Sequence, residues 1–119
     1  MCARATGLYL KARDPETVTF VITGAGRPQT DEDEGDEDAA CADYLEAWLS
    51  GSSPNPQRYL ERVARSPAGR LFADPQEPEL PASDLDFCLR LDAFDFAMRV
   101  DPGNGRKLLR AIDPVRSAL

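Results

Sequence analysis

The chain has 119 residues, 42% hydrophobic and 29% charged, and its 21 acids outnumber 14 Lys and Arg to give a formal net charge of −7. Length and composition predict one soluble globular domain that buries roughly two-thirds of its unfolded surface, and argue against a disordered chain. Seven of the acids fall between Asp31 and Asp38, so the rest of the chain is charge-balanced, which argues against nucleic acid as a partner.

With no histidine, His-based triads and His-ligated metals are excluded within the chain. Cys2, Cys41 and Cys88 are odd in number and widely spaced, which indicates neither a disulfide framework nor a zinc site. No long apolar run marks a signal peptide or a membrane span, so the expected location is cytoplasmic.

In chain order, Met1 to Arg13 places Cys2, Ala5, Leu8, Tyr9 and Ala12 near the 3.6-residue period and predicts a helix. No Ser, Thr, Asp or Asn precedes it as a cap, as if the reading frame began inside the pattern. Asp14-Pro15 breaks this helix. Thr17 to Thr23 then reads as a strand. Val18, Phe20 and Ile22 point to one face and Val21 to the other, so it is expected to be the most buried strand, covered on both sides.

Gly24 and Gly26 end that strand and open an acidic loop. A second helix runs from Asp36 to Ser50, burying Cys41, Leu45 and Trp48, with acids at its positive end and Gly51 as its stop. A third helix covers Pro56 to Arg65, and Ser66 to Phe72 adds a short one. Asp74 to Pro81 is a proline-rich connector. Ser83 with Asp86 has the form of a capping box, opening a helix through Leu91 that buries Leu85, Cys88 and Leu89. Phe87, Phe94 and Phe96 are read as core. The chain should close with a β-hairpin around Pro102-Gly103-Asn104-Gly105, the second strand lying in Arg106 to Ile112. A helix over that last stretch is the competing reading.

The expected fold is α/β, a layered mixed sheet with flanking helices that ends in a short hairpin. Ligands of such folds gather at the carboxyl ends of the strands, here between Gly24 and Ala42. The acidic run does not make an EF-hand: starting at Asp31, position 5 is Gly35 and position 12 is Ala42. The plain reading of Asp31 to Asp38 is a solvated loop. The sharper one keeps only Glu37 and Asp38, whose paired carboxylates at a helix start can hold Mg²⁺. Gly24 and Gly26 are either a structural turn or a phosphate cradle, with no Walker lysine to favour the second.

The G-A-G at Gly24 to Gly26, the E-D-A-A-C-A-D-Y-L led by Glu37 and Asp38, and the S-D-L-D-F-C-L-R-L-D from Ser83 to Asp92 resemble the C-terminal half of 2-phosphosulfolactate phosphatases. The opening C-A-R-A-T-G-L-Y-L resembles the helix before the strand in that family. The resemblance implies a Mg²⁺-dependent hydrolase that converts 2-phospho-3-sulfolactate to sulfolactate and phosphate, in the route to coenzyme M. It makes residues 1–119 a single domain corresponding to the C-terminal portion of a longer enzyme. Family members also carry D-V-L-R-like and N-G-T-like motifs that are absent here, and Asp43 stands where they tend to have glycine. The isolated chain is therefore expected to be inactive, and to self-associate as a homo-oligomer or need the missing N-terminal half. The competing reading is a non-catalytic remnant whose acidic loop engages a basic partner.

Overall fold

A computed structural model describes residues 1–23, 35–103 and 105–115. Gly24, Gly26 and the acids Asp31 to Glu34 lie outside the described residues. Among the described residues the chain forms five helices and one two-stranded antiparallel sheet, an α/β content with the expected closing hairpin. They fall into two compact units, one of residues 1–18 and 91–119, the other of residues 19–90. No helix of the described residues is long and apolar enough to cross a membrane.

In the first unit, α1 (Ala3–Arg13) packs on β1 (Ala97–Pro102), which pairs with β2 (Lys107–Ile112). Ala5 and Ala97, 3% and 2% exposed, are its tightly buried apolar residues, and small side chains there let helix and strand approach. The missing N-cap of α1 is answered from far along the chain. The Asp92 carboxylate accepts from the Arg4 amide at 2.7 Å, satisfying a first-turn donor and placing negative charge at the positive end of the helix. Asp14 ends α1 in a left-handed conformation, φ 44°, its amide donating to Leu10 and Lys11 carbonyls.

The hairpin sets Arg99 directly opposite Arg110, a like-charge pairing that alone is destabilising. Asp101, two residues along on the same face, resolves it: its carboxylate accepts from Arg99 Nε at 2.6 Å and lies 3.2 Å from Arg110 Nε. Gly103 and Arg106 exchange backbone hydrogen bonds across the turn, and Gly105 takes the positive φ, 76°, that the turn requires.

In the second unit, α2 (Asp36–Leu49) packs on α3 (Pro56–Arg65), and α4 (Pro67–Phe72) joins α3 to α5 (Ala82–Cys88). Each of the two middle helices starts with a capped proline. Asn55 Oδ1 accepts from the Gln57 amide, and Ser66 Oγ from the Gly69 amide at 3.0 Å. Ser66, 2% exposed, also donates to the Val63 carbonyl at 2.7 Å, so one hydroxyl closes α3 and opens α4. Gly69 permits that tight corner: a Cβ there would sit 2.6 Å from the Ala64 carbonyl oxygen.

Several expectations need correction. Thr17 to Thr23 is not a paired strand, and Val21, Ile22 and Val18 are 78%, 41% and 36% exposed. Its β-branched side chains suit a sheet, but no ladder partner exists among the described residues, and Val21 is left the most exposed of them. Cys41 and Cys88 are exposed, not core: the buried stripe of α2 runs through Ala40 and Leu45 instead of Cys41, and α5, which ends at Cys88, has no fully buried residue. Phe87 is 41% exposed, while Phe94 and Phe96 are half-buried and stacked at 5.1 Å. The capping box at Ser83 does not form. The last helix of the described residues begins two residues earlier, with Pro81 at its N-cap and no side-chain cap, and stops at Cys88.

Candidate functional site

The first turn of α2 concentrates the acids. Gly35, with φ 70°, stands at the N-cap in a left-handed conformation and turns the chain into the helix. Asp36, Glu37 and Asp38 follow, where the exposed amides and the helix dipole favour negative charge. Successive helical residues point about 100° apart, since a turn takes ~3.6 residues. The three carboxylates accordingly go to three different neighbours.

Asp36 faces α3. Its Oδ1 accepts from Arg62 Nε at 2.6 Å, and Asp43, two turns further on the same face of α2, accepts from Arg62 Nη1 at 2.5 Å. These bonds, first to Asp36 and then to Asp43, raise the Arg62 guanidinium above its ordinary value and keep it charged. An edge-to-face contact between Tyr44 and Tyr59, centroids 5.4 Å apart, closes the same helix pair. The cleft beside Arg62 measures about 590 Å³ and is also lined by Arg58, Glu61 and Arg65.

Glu37 faces the other way, onto a cavity of about 170 Å³ formed with Val63, Phe72, Asp84, Leu85 and Cys88. Its Oε2 is buried and accepts no hydrogen bond among the described residues. A buried carboxylate oxygen without a donor is costly, and a cation or an ordered water is the usual remedy. Asp38 turns toward Thr23. Its Oδ2 accepts from the Thr23 amide at 3.1 Å and from Thr23 Oγ1 at 3.0 Å.

These positions test what Glu37 and Asp38 can do for Mg²⁺. The ion accepts one or two carboxylates and keeps several waters. The orphaned Oε2 of Glu37 fits such a role, and Asp38 is held in place by Thr23. No group of three or more His, Cys, Asp and Glu able to hold a metal occurs among the described residues. Glu37 and Asp38 diverge onto different neighbours, so the described residues do not bring them together as one donor set; each offers an ion a single carboxylate, and a full site needs further groups. At Cys41, desolvation raises the thiol above its ordinary value, which disfavours the thiolate, although the residue is exposed.

The Arg62 ion cluster is the feature that sequence reading missed. Its signal was present, since Asp36 and Asp43 are seven apart on one helical face and Arg62 lies on the face of the next helix that meets them. Asp43 has its structural partner in Arg62.

Over 67 residues, 56% of its length, the chain is 30% identical to a probable 2-phosphosulfolactate phosphatase of Bacillus subtilis (strain 168), of which this covers 29%. The chain therefore spans under a third of the relative it matches. No family model and no solved structure matches it.

Proposed function

We propose that this chain is a phosphatase-type hydrolase segment, akin to 2-phosphosulfolactate phosphatases, whose first turn of α2 contributes acids to a Mg²⁺-dependent phosphate-ester site. The observation that carries the reading is the similarity over 67 residues to that probable phosphatase. The substrate class it suggests is a small phosphate ester, in the first instance 2-phospho-3-sulfolactate. Glu37 and Asp38 would hold the ion, Glu37 through its unpartnered Oε2 and Asp38 from its tether to Thr23. When bound, Mg²⁺ supplies polarisation of a phosphoryl oxygen and relief of its charge. The chain's own part is to position: Thr23 fixes Asp38, and Arg62, locked by Asp36 and Asp43, fixes α2 against α3.

The test is a chimera in which residues 1–119 of this chain replace the corresponding stretch of the relative. The reading predicts Mg²⁺-dependent phosphate release from 2-phospho-3-sulfolactate, lost in the E37Q/D38N variant. A chimera that melts cooperatively yet releases no phosphate, or one whose E37Q/D38N variant is fully active, would overturn it.

A further inference from the structure

The cleft between α2 and α3 contains three acids and three arginines, but they are not equally engaged. Asp36 and Asp43 both accept from Arg62, and Glu61 Oε1 accepts from Gln57 Nε2 at 3.2 Å. Every carboxylate lining the cleft therefore already has a donor. Of the arginines only Arg62 is engaged. Arg58 and Arg65 line the same cleft, both exposed, and no carboxylate among the described residues pairs with either guanidinium.

Their placement is set by the helix. Positions 58, 62 and 65 follow the i, i+4, i+7 spacing of one face of α3, so Arg58 and Arg65 flank the locked Arg62 about two turns, roughly 10 Å, apart along the axis. Arg62 is more than neutralised by the two carboxylates of Asp36 and Asp43, and with Glu61 the lining balances three acids against three arginines, so only the two outer guanidiniums are left to meet an anion. The two outer guanidiniums supply positive charge with a planar donor fork, the geometry suited to tetrahedral oxyanions. A volume of about 590 Å³ suits a small molecule.

We infer that Arg58 and Arg65 form an anion-binding subsite in the α2–α3 cleft for the sulfonate or phosphate group of a small acid. The inference rests on the proposed function only in its ligand class: a substrate bearing a sulfonate besides its phosphate needs a cationic group for the end that does not react.

The experiment is an NMR titration of the full chain, following arginine Nε–Hε resonances, with inorganic phosphate and with sulfoacetate. Sodium chloride at matched ionic strength controls for screening. The expected result is saturable movement of the Arg58 and Arg65 signals with at least one of the two anions, weakened about tenfold or more in the R58Q/R65Q variant. An R106Q variant, changed at the hairpin turn, should bind as the parent does. Arg58 and Arg65 are exposed, so the double variant should keep the parent's circular dichroism melt; if it does not, the single variants R58Q and R65Q are read instead. Shifts that chloride reproduces, that do not saturate, or that survive loss of both arginines would overturn the subsite. Anion binding here alongside an inactive chimera would refute the phosphatase reading and leave the subsite standing; an active chimera without anion binding would do the reverse.

Discussion

Asp38 and Thr23 are fifteen residues apart, yet one oxygen of Asp38 accepts from both the amide and the hydroxyl of Thr23. The bond pair joins the end of one apolar run to the first turn of α2 and so fixes where the intervening segment leaves and returns. Asp38 is ordered by folding itself.

Removing the Thr23 hydroxyl tests this staple. Thr23→Val keeps size and amide but loses one of the two bonds, and should cost about 1 kcal/mol, on the scale of an ordinary hydrogen bond. A thermal melt should fall by roughly 4–8 °C if that loss is felt globally. An unchanged melt, with an unchanged Asp38 carboxyl resonance, would show that the staple does not form in solution.

The corner between α3 and α4 should be far less tolerant. Ser66→Ala removes a cap and a donor to the Val63 carbonyl, a loss of about 1–2 kcal/mol. Gly69→Ala should cost more, because its methyl meets backbone that can move only if the two helices separate. Chemical denaturation of both variants checks the order. A Gly69→Ala protein as stable as the parent would mean that the corner is looser than described.

Acid should act on the hairpin through Asp101. Its carboxyl is held below the ordinary carboxylate value, first by the Arg99 guanidinium and then by Arg110, while Arg99 is raised by Asp101 and by the Tyr9 hydroxyl of α1. A depressed folded value means that the ionised form belongs to the folded state. Its stabilisation is complete above the unfolded value, near 3.8, and is lost as pH falls through the folded one. Carboxyl-carbon NMR should show Asp101 titrating below 3.8, with Arg99 signals moving in step, and D101N should remove that transition. Titration of Asp101 at or above 3.8 contradicts the ion cluster.

Much of this was legible from local signals. Helical period, Gly51 after α2, proline at the starts of α3 and α4, and the turn before Lys107 all act within a few residues, and each fell where expected. What failed depends on partners distant in sequence. Val18, Phe20 and Ile22 have the composition of a buried strand, but composition states only what a sheet would accept, not that one is there. The cap of α1 was illegible for the same reason, since Asp92 supplies it from across the chain. At the candidate site, the helix start and its acids could be read, whereas their divergence onto Arg62, the Glu37 cavity and Thr23 required three-dimensional neighbours.

The measurement that bears most directly on the account is a Mg²⁺ and Mn²⁺ titration followed by NMR on the chain and two variants. One variant is E37Q/D38N; the other neutralises Asp31 to Glu34 to Asn and Gln. Magnesium needs carboxylates already in place, because it demands near-octahedral geometry and gives up water reluctantly. The account predicts weak, saturable shifts at Glu37 and Asp38 with line broadening by Mn²⁺, abolished in E37Q/D38N and retained in the other variant. Loss of the response in the loop variant with its retention in E37Q/D38N would show that the acidic run merely gathers counter-ions, and that the start of α2 is not the metal-binding part of the chain.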